Sequence, residues 1–394
     1  MILISKSASH VMGKRAPDSA DVVVVGGGVM GASAAFHLAE AGVDVVLVER
    51  GDLAGGSTSK AAGGVRANFS DELNIALGKR SLELFADFTS RPGQQIDLHR
   101  TGYLFVLTSA DAVDEFEQAV ALQQQLGVRA ELVDPLRASE LSPYLDTSGV
   151  LAASWSPDDG HCTPESVVQG YATGARRLGA RVMSHTAVTS IRASGGEIHA
   201  VETSAGSIAT SCVINCAGAW SPQIANFVGL DLPVVPVRRQ LVVTEPLANP
   251  MPTAFTIDYG TTFYWHREGP GILMGFSDPS TKPGFDCTDD PGFLGQLAEL
   301  ASVRAPALLD VGIKTGWAGL YEVTPDHNAL LGQSHEVSRM LYATGFSGHG
   351  FLQGPAVGEI LRDLYLGRAP FIDIAPLDVR RFASGALRPE RNVV

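Results

Sequence analysis

The residues whose spacing most directly encodes chemistry lie at positions 22–49 and read VVVVGGGVMGASAAFHLAEAGVDVVLVE. An apolar strand runs into a glycine turn, an amphipathic helix follows, and a second apolar strand closes on an acid. A dinucleotide pyrophosphate needs bare backbone N–H groups at a helix N-terminus, and its ribose needs a carboxylate, so the pattern reads as a dinucleotide site. Gly26 permits the tight turn, Gly28 lets the chain approach the phosphates, and Gly31 lets the helix pack closely on the strands. An acid at Glu49 disfavours a 2′-phosphate, which leaves FAD or NAD.

The rest of the chain must supply the frame. Its 394 residues, 45% hydrophobic with 43 glycines, suffice for a sizeable core and two domains built from interleaved segments. The formal charge of -13 arises from 42 acidic and 29 basic residues without a long basic run, which argues against nucleic acid or an anionic membrane as partner. No apolar run reaches the roughly 18 residues of a membrane span. Cys162, Cys212, Cys216 and Cys287 show neither CxxC nor metal-ligand spacing; they read as buried thiols of a reducing compartment, and no metal site is expected. Residues 1–20 lack a complete signal sequence and are expected to form a loose extension of a cytoplasmic protein.

After Glu49, GDLAGGSTSKAAGGVR has too little apolar periodicity for a strand and too much glycine for a stable helix, so a loop is expected beside the dinucleotide turn. Helices are expected over 71–89, 112–126 and 167–178, a strand over 102–107, and an antiparallel meander over 187–193, 196–203 and 206–209 that leads into the apolar CVINCAG. This order completes the parallel sheet of a two-dinucleotide-binding-domain flavoprotein, which favours FAD over NAD. Between 234 and 331, VRRQLVVTE, TTFYWHR and ILMGF are aromatic and β-branched between Pro and Gly turns, and predict a mostly antiparallel second domain. A final strand, LYATG, enters SGHGF ahead of a helix, a second glycine turn at a helix N-terminus.

Six motifs in order, the glycine fingerprint ending in VE, GSTSKAAGGVR, PDDGH, NCAGAWS, GLYEVTPDHNALLG and GFSGHGF, resemble the D-amino-acid oxidase superfamily of flavoproteins. Within it the chain is most similar to the sarcosine oxidase, dimethylglycine dehydrogenase and glycine oxidase branch. The resemblance implies an α/β fold: a Rossmann-like FAD-binding domain (21–97, 155–232 and 325–394) and an α+β substrate domain on a mostly antiparallel sheet (98–154 and 233–324). It implies oxidation of a small amine or amino acid, a secondary or N-methyl amino acid above all, by hydride transfer from the carbon next to nitrogen to flavin N5. The imine then hydrolyses. Dioxygen or another acceptor would reoxidise the cofactor. The alternative is a flavin-bearing subunit with partner subunits, or a non-catalytic assembly factor.

Residue by residue, the resemblance places Gly26, Gly28, Val29, Met30 and Gly31 at the pyrophosphate, Glu49 on the ribose and Arg50 beside the adenine. It places Ser57, Ser59, Gly63 and Gly64 along the pyrophosphate, ribityl and flavin side, Val188 at the adenine through its backbone, and Ala217, Gly218 and Trp220 on the other side. Gly348, His349, Gly350 and Phe351, followed by Leu352, would lie by the isoalloxazine. Arg66 and Arg267 are the candidate carboxylate clamps, because a guanidinium holds its charge when desolvated; Tyr264 or Tyr321 would close the pocket, and His349 is a candidate catalytic group. Two departures matter. The tethering cysteine of sarcosine oxidases is Gly319 here, so FAD should be non-covalent, and the oxygen-activating lysine is Leu273. Either Arg267, His266 or Lys314 substitutes for that lysine, or electrons pass to an acceptor other than oxygen.

Overall fold

The computed structural model describes residues 15–392. Val22–Val25 and Val45–Val48 are all apolar and mostly β-branched, and they form adjacent parallel strands buried on both faces. Around them a six-stranded sheet runs in the order Leu330–Gln333, Met340–Thr344, Val213–Asn215, Val22–Val25, Val45–Val48, Arg181–Met183. Every neighbour pair is parallel except the first, an antiparallel pair. Helices Val29–Glu40, Pro164–Arg177 and Gly350–Tyr365 cover one face, and the meander Val188–Ser194, Glu197–Thr203, Gly206–Ala209 packs against the other.

A second, eight-stranded sheet has the order Ile313–Val323, Val235–Thr244, Gly271–Phe276, Tyr264–Glu268, Phe255–Asp258, Tyr103–Leu107, Ala152–Ser156, Glu131–Val133. It is antiparallel except where Phe255–Asp258 meets Tyr103–Leu107. Those two strands are far apart in sequence, so no hairpin dictates their relative direction. The fold is therefore mixed α/β. No helix among the described residues is long and apolar enough to cross a membrane.

Local chemistry sets the helix starts. The Asp71 carboxylate accepts from the N–H groups of Leu73 and Asn74 and caps Glu72–Ala86, as Ser109 caps Ala110–Gln125. Three expectations need correction. Residues 1–14 of the expected loose extension lie outside the described residues, but Ala16 and Ala20 donate to Ala205 and Ala209 carbonyls, each at 3.0 Å, so residues 15–20 are tied to the meander. The loop after Glu49 contains a short helical turn, Thr58–Lys60, and a two-residue strand, Gly64–Val65, whose partner Gly160–His161 is too distant in sequence for local composition to reveal. Cys162, Cys212 and Cys216 are buried free thiols, whereas Cys287 is exposed, because it lies in a Pro- and Asp-rich surface stretch.

Candidate active site

A cleft of about 580 Å³ opens at the carboxyl ends of Val22–Val25, Val45–Val48 and Val213–Asn215, lined there by Val25, Val48 and Cys216. Open parallel sheets place their ligands at this edge. Gly26 has φ +108°, and a Cβ on it would stand 2.4 Å from the Cys216 carbonyl oxygen. A Cβ on Gly31 would stand 1.9 Å from the Gly26 carbonyl oxygen, so Gly31 sets how closely the helix approaches the strand without lining the cleft itself. Gly28, Val29 and Met30 do line it. The Val29 N–H donates to Thr58 Oγ1 at 3.2 Å, so the following loop supplies the helix cap that Gly28 lacks.

Glu49 stands in the cleft wall, where Oε2 accepts from the Gly27 N–H at 2.7 Å and Oε1 from the Gly51 N–H at 2.8 Å. At the same end the Arg50 guanidinium lies 3.9 Å over the Trp220 ring, which stacks in turn on Phe285. Ser57, Val188 and Ala217 line the cleft as well, and Gly218 lines it beside Glu322, where a Cβ would stand 3.3 Å from Oε2. Ser59, Gly63 and Gly64 do not reach the cleft. Ser59 N–H donates to the Ala54 carbonyl, Gly63 accepts from Cys162, and Gly64 opens the short strand, so they shape the loop.

The other end is built by the N-terminus of Gly350–Tyr365 and by the eight-stranded sheet. Gly348, Gly350 and Phe351 line it, while Leu352 is buried in the core. The His349 ring lies outside the lining and meets Phe69 edge-on at 5.0 Å, with Nε2 unpartnered. Burial, and then the charge of Arg66, hold this imidazole well below its ordinary pKa, so it is neutral. Glu322 lines the cleft, accepting from Thr344 Oγ1 at 3.1 Å and the Phe346 N–H at 3.4 Å, and burial pushes its carboxyl up to about 7. Neither Glu322 nor Arg239, Thr58 and Gln223, which also line the cleft, was singled out from the sequence. The GLYEVTPD motif was the available signal for Glu322, whereas strand alternation separates Arg238 from Arg239 without telling which of the two faces the cleft.

Several candidates sit elsewhere. Arg66 is buried, with Nη1 donating to the Asn68 carbonyl, Nη2 to the Asn392 carbonyl at 2.6 Å, and its plane 4.1 Å over Phe69. Arg267 donates to the Gly269 carbonyl at 2.7 Å within its own hairpin. Tyr264 packs in the core against Phe255, and burial raises its phenol pKa. Leu273 pairs across strands with Val243 and His266 and is only 2% exposed, so its position is an interior one and offers the cleft no cation. Lys314 is exposed near the start of its strand. His161, His266 and Glu268 bring ligand atoms within 4.8 Å of one another, yet both His266 nitrogens already face backbone carbonyls, Arg267 at 2.7 Å and Ala62 at 2.9 Å.

The lining fits FAD. A glycine cradle that any Cβ would fill, a carboxylate at the second strand end, and a helix N-terminus at the far end suit a ligand that is anionic in its middle and accepts charge at its tip. Gly319 lines the cleft where a tether would stand, and burial raises the Cys216 thiol pKa, which keeps it protonated and a poor nucleophile. Acid denaturation is accordingly expected to release all the flavin into the supernatant; yellow colour retained by the precipitate would contradict this.

Fold and cleft together define a dinucleotide-binding flavoprotein built on two sheets. Residues 21–364 match the DAO family, described as FAD dependent oxidoreductase, and the chain belongs to that family. It is similar to mitochondrial dimethylglycine dehydrogenase of Mus musculus, 30% identical over 387 residues that cover 93% of this chain and 44% of that protein. The chain thus spans under half the length of this relative. Among solved structures, L-proline dehydrogenase from P.horikoshii gives a TM-score of 0.90 at 34% identity, covering 95% of this chain and 100% of that one. Glycine oxidase from Geobacillus kaustophilus gives 0.84 at 25% identity, covering 93% and 99%.

Proposed function

We propose that this protein oxidises a small secondary or N-methyl amino acid at the carbon next to nitrogen, releasing an imine that hydrolyses. The observation that carries the reading is the cleft itself, which runs from the glycine cradle and Glu49 to the N-terminus of Gly350–Tyr365 and the side chains of Arg239, Tyr321 and Glu322. In this reading the six-stranded unit holds FAD and the eight-stranded unit presents the substrate. Bound FAD supplies a two-electron acceptor for the C–H bond beside nitrogen. The amides of Gly350 and Phe351 stabilise negative charge developing next to them. His349 and Arg66 back this end from outside the cleft, and Tyr264 and Arg267 serve as framework.

Glu322 gives the site a group that holds or releases a proton near neutrality, and a substrate amine must shed its proton before it is oxidised. The rate of anaerobic flavin reduction is expected to rise with pH through about 7, and Glu322→Gln is expected to abolish that inflection. An unchanged profile in the variant would remove Glu322 from this role. With Leu273 interior, we propose an electron acceptor other than dioxygen and expect reduced enzyme to reoxidise slowly in air but rapidly with an artificial acceptor; fast reoxidation in air contradicts this. Four free cysteines, three of them buried, suit a reducing compartment, and we propose the cytoplasm.

A further inference from the structure

We propose that Arg239 is the anchor for a carboxylate on the substrate, an inference that rests on the proposed function and names the group its substrate must carry. Arg239 lies in Val235–Thr244, and its register against Gly319 turns it toward the cleft. Its guanidinium carbon stands 5.2 Å from the centre of the Tyr321 ring. Nη1 donates to the Arg238 carbonyl at 3.0 Å; buried Nε has no partner, and no ion pair to it forms among the described residues. A guanidinium remains charged under all ordinary conditions, so a half-buried one that faces the cleft and pairs with none of its carboxylates, Glu49, Asp52 and Glu322, calls for an anion.

The other arginines near the cleft are already engaged. Arg50 stacks on Trp220 at the Glu49 end, Arg66 is taken by the carbonyls of Asn68 and Asn392, and Arg267 by that of Gly269. Arg239 is also at the wrong end for the pyrophosphate. Its neighbour Tyr321 packs on Gly348, where a Cβ would stand 2.5 Å from the ring, so the two mark the Gly348–Phe351 end of the cleft. A planar bidentate clamp beside a tyrosine is suited to a carboxylate and gives an amine no reason to bind there. The substrate class that follows is an amine bearing a carboxylate close to nitrogen, and simple alkylamines are excluded.

The test compares the holoenzyme with Arg239→Met and Arg239→Lys. Anaerobic flavin reduction is followed with proline against pyrrolidine and with sarcosine against dimethylamine, and benzoate is titrated against the visible flavin spectrum. Arg239→Met is expected to lower reduction by the carboxylated amine about 100-fold through substrate affinity, with a loss of under about 3-fold for the analogue lacking the carboxylate. Arg239→Lys should recover part of the loss, flavin content should stay at wild-type level, and benzoate should perturb the wild-type spectrum and not that of Arg239→Met. Equal losses for both members of a pair, loss of retained flavin, or benzoate binding unchanged in Arg239→Met would overturn the assignment. A wild type that no amine reduces would instead sink the proposed function, and benzoate would still decide Arg239: a wild-type spectrum that benzoate leaves unmoved overturns it.

Discussion

Gly31→Ala is expected to purify without its flavin. The new methyl would stand 1.9 Å from the Gly26 carbonyl oxygen, with the nearest alternative room closed by Val24 at 3.3 Å. Relief requires the helix to move off the strand, and backbone is the obstacle, so no side-chain rotation absorbs the clash. Overpacking of this kind costs about 1–3 kcal/mol in stability. The larger effect falls on FAD, because the shift displaces Gly28, the N–H group of Met30 and the turn at Gly26 from the phosphates. FAD affinity should fall at least about 100-fold, measured by titrating apoprotein with FAD and following flavin fluorescence. Gly295→Ala is the matched control. A Cβ there meets nothing within 4 Å and lies in helix Phe293–Arg304, so it should gain about 0.5–1 kcal/mol in stability and keep its flavin. Equal flavin content in the two variants would show that the Gly31 contact does not shape the cradle.

Asp326→Ala is expected to be the most destabilising single change away from the cleft. Asp326 and Arg381 form a two-bond ion pair at 2.8 and 2.9 Å, with side chains 1% and 3% exposed, and Arg381 further donates to the carbonyls of Asn328 and Leu377. Removing one partner leaves a buried guanidinium unpaired, which costs about 3–5 kcal/mol. Denaturant unfolding checks this, and a loss below about 1 kcal/mol would contradict the pairing. The pH dependence has a definite sign. Burial pushes the Asp326 carboxyl up, but the hydrogen bond and charge of Arg381 outweigh it and hold the group below its ordinary value. The pair's contribution is therefore complete above the ordinary carboxylate range and is lost as pH falls through the lowered value. Asp326→Ala should accordingly narrow the stability gap between neutral and acid conditions.

Legibility in the sequence followed the range of the interactions involved. The cradle at Gly26 to Gly31 and the acid at Glu49 are local: turn, helix start and strand end succeed each other, so spacing alone exposes them. Arg238 and Arg239 look alike in VRRQ, yet alternation sends them to opposite faces. Arg238 pairs with Asp290 at 2.9 Å while Arg239 faces the cleft. Deciding which is which needs the register against Ile313–Val323, a long-range quantity. Arg66 illustrates the same limit in reverse. It reads as an open clamp at the end of GGVR, and residue 392, from the far end of the chain, supplies the carbonyl that occupies it. Asp326 sits in GLYEVTPDHNALLG, one of the motifs that carry the family resemblance, but its own carboxylate serves the fold by binding Arg381.

The claim that this is an amine-oxidising flavoprotein meets its most direct test in the visible spectrum of the purified protein under anaerobic conditions. A panel of sarcosine, dimethylglycine, proline, glycine and other D- and L-amino acids is added one at a time, and the flavin band is followed. The account predicts that at least one carboxylated secondary or N-methyl amine bleaches the oxidised flavin within a single turnover. A flavin that stays oxidised with every member of the panel would contradict it.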